Sequence, residues 1–304
     1  MTDWLKPGLL DTEPFLRTRV HAARNHCDLA MAGRIGLGSL VCFTPLAEAM
    51  ARRLGRPIRL LTASCGDDGT TGEPYPVWRH NPYVGEIVDA DSIDPAIDHD
   101  LSREAHNFCQ CGHITENLLA AYGLRLRRRR GSIHLSADEQ RRALDRLSHL
   151  PRPLVCLNPH GRSSSPPGAP WHRERWLQLI DRLTGRAGVF AIGFDQDGCK
   201  DLPVFQPDTT LREMMALIWA ADAYVGFDSG PSHIAPAVET PAVVLWDAVR
   251  KVALEEDKTP GFATAMINRW SWPQNLNLMI LGERHTEILD RILDHLDGLF
   301  TRRP

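Results

Sequence analysis

Short apolar runs recur along this chain, each followed by a stretch in which apolar residues repeat at helical spacing. Residues 28–32 predict a buried strand. It meets a glycine-rich turn made of Gly33, Arg34, Ile35, Gly36, Leu37, Gly38 and Ser39. A helix is expected from near Pro45, where Leu46, Ala47, Met50 and Leu54 fall on one face. Residues 57–62, with Ile58, Leu60 and Leu61, predict the next strand. Strand, turn, helix and strand form the repeating unit of a parallel sheet with helices on its faces.

From residue 63 to about 107 the pattern weakens, and Gly66, Asp67, Asp68, Gly69, Thr71, Gly72, Glu73 and Pro74 are loop chemistry. Residues 84–88 predict a short strand, and 114–122 a helix that Gly123 ends. A further helix is expected at Ser136, with Glu139 three positions on, the spacing of a capping box. The run Arg127, Arg128, Arg129, Arg130 and the pair Pro151 and Pro153 bracket this helix, which places a domain boundary near residue 150. Beyond it the alternation restarts. Residues 154–157 predict a strand, then a polar loop runs through Ser163, Ser164 and Ser165 to Trp171. Trp176, Leu177, Ile180 and Leu183 share a helix face, residues 188–192 predict a strand, and Leu211, Met214, Met215 and Ile218 mark another helix. Strands are expected at 223–225 and 242–245, on either side of a turn at Asp228. The last helix begins near Arg284, with Ile288, Leu289, Ile292, Leu293, Leu296 and Leu299 in register. The expected fold class is α/β: two consecutive doubly wound domains, residues 1–150 and 151–304.

A length of 304 residues suits two such domains, and 43% hydrophobic with 24% charged residues is the balance of a globular protein. A formal net charge of −3 excludes a global basic field that would draw the chain to nucleic acid or to an anionic membrane. One local patch stands out, Arg125 with Arg127 to Arg130, either a solvated loop or a lipid-facing or acceptor-facing surface. The first residues, Met1 to Pro7, lack the layout of a signal peptide, and no apolar run approaches the ~20 residues that span a bilayer. A cytoplasmic protein with no transmembrane segment is expected, with peripheral membrane contact left open. Seven scattered cysteines fit reduced thiols there.

The chemistry concentrates where a strand ends in Val225, Gly226 and Phe227 and is followed by Asp228, Ser229, Gly230, Pro231, Ser232 and His233. A helix N-terminus leaves backbone N–H groups unpaired and carries partial positive charge, so it holds phosphate readily. Gly230 allows close approach, Ser229 offers a hydroxyl, and Pro231 fits the first helical turn. The plainer alternative is that Asp228 or Ser229 only caps the helix. His106, Cys109, Cys111 and His113 are potential metal ligands, but their spacing matches no common zinc pattern, so no metal is expected. Asn81, Pro82 and Tyr83, and Trp270 with Trp272, are candidates either for stacking on sugar rings or for packing. A nicotinamide-dependent dehydrogenase fits poorly. The glycines run Gly33, Gly36, Gly38, and the second strand ends in Leu61, Thr62, Ala63 without the acid that would hold a ribose.

Residues 221–246, ADAYVGFDSGPSHIAPAVETPAVVLW, resemble the signature of glycosyltransferase family 9, the heptosyltransferases that use ADP-heptose. Three further stretches resemble the same family in the right order. They are Ile35 to Ser39 with Thr44, Pro45 and Leu46; Asn158, Pro159, His160 and Gly161 leading to Trp171 and Glu174, Arg175, Trp176; and His113 to Gly123. The resemblance implies a GT-B fold: two Rossmann-like domains facing across a cleft, the N-terminal one binding acceptor and the C-terminal one binding a nucleotide-sugar donor. The last helix is a candidate to pack back on the first domain. The resemblance also implies inverting, metal-independent transfer of a sugar, heptose from ADP-heptose, to an acceptor hydroxyl, as in lipopolysaccharide biosynthesis. No cofactor beyond the donor is implied, and the acceptor is a glycan, a lipid-linked sugar, a protein or a small molecule.

Carried over by position, Asp228, Ser229 and Gly230, with Pro231 and His233, meet the donor's diphosphate and neighbouring sugar. Gly193 and Asp195, with Asp197 as substitute, lie where the family contacts the nucleotide ribose. Arg162, Ser163 and Trp171 complete the donor set, and Gly38, Ser39 and His113 the acceptor set. Two positions depart from the family. Its catalytic aspartate is here Ser39, and a serine does not take a proton at neutral pH without a partner. Its lysine before the loop tryptophan is here Ala169, leaving Arg162, His172 or Arg173 to offset leaving-group charge. Asp68, beside Asp67 and Glu73, is the substitute base expected from topology. The departures keep a second hypothesis in view, a non-catalytic nucleotide-sugar-binding protein. A sugar epimerase is a third.

Overall fold

The computed structural model describes residues 22–23, 26–30, 36–62, 75–89, 113–125, 127–159, 171, 173–193, 202–206, 209–247, 267–280 and 285–301. They fall into two compact units, one of residues 1–134 with Asn268–Trp270, the other of Leu135–Ile267 with Ser271–Pro304.

In the first unit, β1 (Leu29–Ala30), β2 (Ile58–Thr62) and β3 (Val84–Asp89) form a parallel sheet in that order, with Leu29 opposite Leu60 and Ala30 opposite Leu61. The intervening helix α1 spans Leu37–Leu54, so it starts eight residues before Pro45 and carries that proline inside. A proline there cannot donate to the carbonyl four residues back and normally breaks the helix. Thr44 repairs the defect: its hydroxyl donates to the Val41 carbonyl at 2.8 Å and accepts from the Ser132 amide at 2.8 Å. Gly38 and Ser39, expected in a turn, are therefore in the first turn of α1. Helix α2 (Ile114–Ala121) packs beside it, and Gly123 follows at φ 65°, the left-handed conformation expected of a C-terminal glycine.

The second unit contains α3 (Ala137–Leu147), β4 (Leu154–Asn158), α4 (Arg173–Leu183), β5 (Gly188–Ala191), α5 (Leu211–Ala220), β6 (Ala223–Phe227), α6 (Gly230–Ala237), β7 (Ala242–Asp247), β8 (Leu276–Ile280) and α7 (His285–Phe300). Its sheet is wholly parallel, in the order β5-β4-β6-β7-β8. A parallel bridge between Ala191 and Phe205 adds a rudimentary strand outside β5. The chain thus winds outward from β4 through β5, then returns to the other side of β4 to begin β6. One face packs on α4 and α7 through Val155, Leu157, Val225, Phe227, Trp176 and Ile292. The other face takes α5 against β4 and α6 against β6 and β7. Burial on both faces explains why β4 to β7 read as continuous apolar runs.

Two sequence expectations shift here. β8 was not foreseen, although Leu276, Leu278 and Ile280 alternate with Asn277 and Met279. And α3, counted with the first domain by a boundary near 150, belongs to the second unit. Its predicted capping box is present: the Ser136 amide donates to Glu139 Oε2 at 2.7 Å, and the Glu139 amide to Ser136 Oγ at 3.2 Å. The same carboxylate receives both arms of Arg212 on α5 at 2.7 Å, both side chains being almost fully buried. Burial alone would raise the Glu139 carboxyl, but the hydrogen bonds from Arg212 and Ser136 win and bring it down to about 2.

Candidate functional site

In an open α/β sheet, ligands bind outside the carboxyl ends of the strands, where the winding direction reverses. Here that point lies between β4 and β6, with Asn158 in register with Gly226. The Asp228 turn projects from it. Its start is fixed to the sheet by the Asp228 amide, which donates to the Leu245 carbonyl at 3.0 Å.

Ser229 is the N-cap residue of α6. Its hydroxyl donates back to the Phe227 carbonyl at 3.0 Å, away from the helix. Ser232 organises the first turn instead: its hydroxyl accepts from the Ser229 amide at 3.1 Å and donates to the Ser229 carbonyl at 2.7 Å. Pro231 sits in that turn, as the sequence predicts. Asp228 and His233 are buried together, 7% and 6% exposed, with His233 Nε2 at 3.7 Å from Asp228 Oδ1. That separation is too long for a strong hydrogen bond but short enough for a charged pair to interact. Gly230 and Pro231 are part-exposed beside them.

The support beneath the turn includes a residue that sequence reasoning missed. Tyr224 lies under Gly226, where an added Cβ would come within 2.4 Å of the tyrosine oxygen and 2.9 Å of the Asn158 Cβ. Only glycine fits there, and a glycine inside an otherwise apolar strand was the signal available. On the other face Trp171, 4% exposed, stands edge-on to Trp176 at 5.0 Å, and Trp176 to Phe227 at 5.9 Å. Trp171 is thus part of the hydrophobic core, in a stack that ends at Phe227, the residue before Asp228. Gly193 closes β5 at φ 155°. Arg162, Ser163, Ala169, His172, Asp195 and Asp197 lie outside the described residues, while Arg173 begins α4 on its exposed side.

In the first unit, Gly36 occupies the N-cap of α1, and Ser39 is 7% exposed in a first turn that holds no acidic residue. His113 is 8% exposed and caps α2, its Nδ1 accepting from the Thr115 amide at 3.2 Å. The Thr115 hydroxyl then donates to the Cys42 carbonyl at 2.7 Å, tying α2 to α1. Asp67, Asp68 and Glu73 lie outside the described residues, as do His106, Cys109 and Cys111. Among the described residues no group of three His, Cys, Asp or Glu could hold a metal ion. Trp272 is 1% exposed, a packing residue, and Asn81 accepts from the Tyr83 amide at 3.0 Å within its own turn.

Comparison with known proteins gives these features a context. Residues 113–256 match the model of glycosyltransferase family 9 (heptosyltransferase). Lipopolysaccharide heptosyltransferase 3 of Escherichia coli is 35% identical over 26% of this chain and 27% of its own, so the match spans about a quarter of that relative. Among solved structures, a family 9 glycosyl transferase from Veillonella parvula superposes with a TM-score of 0.63 at 12% identity, over 90% of this chain and 97% of that one. The E. coli ADP-heptose lps heptosyltransferase II gives 0.60 at 15% identity, over 90% and 98%. E. coli heptosyltransferase WaaC, solved with ADP, gives 0.56 at 12% identity, over 89% and 99%. At such identities the likeness speaks for the fold, GT-B.

Proposed function

We propose that the protein is a glycosyltransferase, a reading supported by the match of residues 113–256 to the model of glycosyltransferase family 9. On this reading it moves heptose from ADP-heptose to an acceptor hydroxyl in the cytoplasm, by an inverting, metal-independent route. The second unit binds the donor and the first unit the acceptor. The observation that carries the reading is the Asp228 turn at the reversal of strand order, a position where α/β sheets bind phosphate-bearing ligands.

The division of labour follows from charge. A buried carboxylate does not welcome a diphosphate, so the backbone at the start of α6 takes the phosphate oxygens. Asp228 accepts hydrogen bonds from hydroxyls of the adjoining sugar. His233, when protonated, offsets both negative charges. Asp68 serves as the base toward the acceptor hydroxyl. Arg162 or Arg173 balances the charge that builds on the departing diphosphate.

One observation favours a second reading. Ser39, which the sequence resemblance puts at the family's base position, is buried in a first turn of α1 that holds no acid, which suits a nucleotide-sugar-binding protein without turnover. Incubation with ADP-heptose, with and without a lipopolysaccharide-core acceptor, separates the two. Acceptor-dependent ADP release supports transfer, saturable binding without release supports the second reading, and absence of binding contradicts both.

A further inference from the structure

The basic run has no part in the site described above, and its surroundings give it a shape. Helices α1 and α2 run side by side in one direction: Thr115 meets the Cys42 carbonyl near their starts, and Arg53 Nη1 donates to the Tyr122 carbonyl at 3.1 Å near their ends. Arg53 is fourteen positions beyond Ser39, about 20 Å along a helix of 1.5 Å rise. Past α2, the Leu124 amide donates to the Leu119 carbonyl at 2.8 Å and the Leu124 side chain is buried. The segment is fixed again where the Ser132 amide meets Thr44 and Ile133 is buried. Between these two anchors Arg125, Arg127, Arg128 and Arg129 are exposed.

Structural duties account for few of these cations. Arg53 serves the α2 carbonyl, and Arg129 faces Glu116 at 3.4 Å. Arg125, Arg127 and Arg128 form no ion pair with any described residue. Three unneutralised guanidinium groups within four residues, on a segment held at both ends, repel one another and cost stability unless an anion meets them.

We propose that Arg125, Arg127 and Arg128, with Arg53 at their side, form a docking surface for the phosphate layer of an anionic lipid bilayer. Planar guanidinium groups match phosphate oxygens in pairs, and clusters of four or more basic residues hold proteins to anionic leaflets. A local patch suffices, because such attraction acts within a Debye length. Nucleic acid fits less well. No aromatic residue stands between the arginines to stack a base. Arg53, at one edge of the patch, lies about 20 Å along α1 from Ser39.

The test is co-sedimentation of the full chain with vesicles of phosphatidylglycerol in phosphatidylcholine, against pure phosphatidylcholine, at low and high salt. Binding should require phosphatidylglycerol and fade with salt. Each arginine removed should weaken it about fivefold, so R125Q/R127Q/R128Q should lose about a hundredfold. A charge-matched control, R141Q/R142Q/R291Q, should bind as the unmodified protein does, with thermal unfolding confirming that both variants fold. Equal loss in the two variants, or no dependence on phosphatidylglycerol, overturns the proposal. So does patch-dependent retention of a single-stranded RNA by a protein that ignores the vesicles.

Discussion

The helix starts at α6 and α1 follow the same strand-to-helix plan in their two units, but they are furnished differently. The Asp228 turn carries a buried acid, an adjacent histidine and a serine that organises the helix start, all resting on a glycine that nothing else can replace. The start of α1 has a glycine N-cap, a buried serine and no acid in its first turn. A helix N-terminus alone can attract an anion, whereas proton transfer needs a group that titrates. The contrast teaches that, on the proposed reading, the described residues furnish the donor side of the site, while the base has to come from elsewhere.

The comparison breaks most decisively in kinetics. Asp68→Ala should lower initial rates with a lipopolysaccharide-core acceptor by about 10²–10⁴, and Ser39→Ala by less than about tenfold. The reverse order would return the base, or the acceptor's anchor, to the start of α1.

Next comes the frame beneath the Asp228 turn. Helix α5 leads directly into β6, and its Arg212 is held by Glu139. Glu139→Gln should cost roughly 3–5 kcal/mol in denaturant unfolding, because it strands a buried guanidinium. The pH dependence has a definite sign. The folded carboxyl sits at about 2, below its ordinary 4.5, so its stabilisation is complete above pH 4.5 and drains as pH falls toward 2. The variant should lose that part of the dependence, and an unchanged acid limb would contradict the assignment.

Smaller effects separate the two glycines. Gly226→Ala forces a methyl against Tyr224 and should destabilise by about 1–3 kcal/mol while weakening donor binding. A Cβ at Gly36 meets nothing within 4 Å, and Gly36→Ala should cost below about 1 kcal/mol. Thermal unfolding of the pair is the check; equal losses would erase the distinction.

Much of this was readable in the sequence, and the misses have physical causes. Strands β4 to β7 of the second unit announced themselves because both faces are buried, and the Asp228 turn because its residues are contiguous. The start of α1 was misplaced because Pro45 looks like a first-turn proline, whereas the Thr44 hydroxyl serves the Val41 carbonyl that Pro45 leaves without a donor and is itself held by the Ser132 amide. The pairing of Glu139 with Arg212, 73 positions away, moves α3 to the second unit, and no local pattern encodes it. Tyr224 was missed because its role depends on the missing side chain of Gly226. The resemblance to family 9 supplied roles that residue types alone left open, Ser39 above all.

The central claim is that the Asp228 turn holds the donor, and calorimetric titration of ADP-heptose tests it most directly. The unmodified protein should bind, Ser39→Ala should bind equally, and Asp228→Ala should lose at least about thirtyfold in affinity. Unchanged affinity in Asp228→Ala, with the fold confirmed intact, would contradict the account.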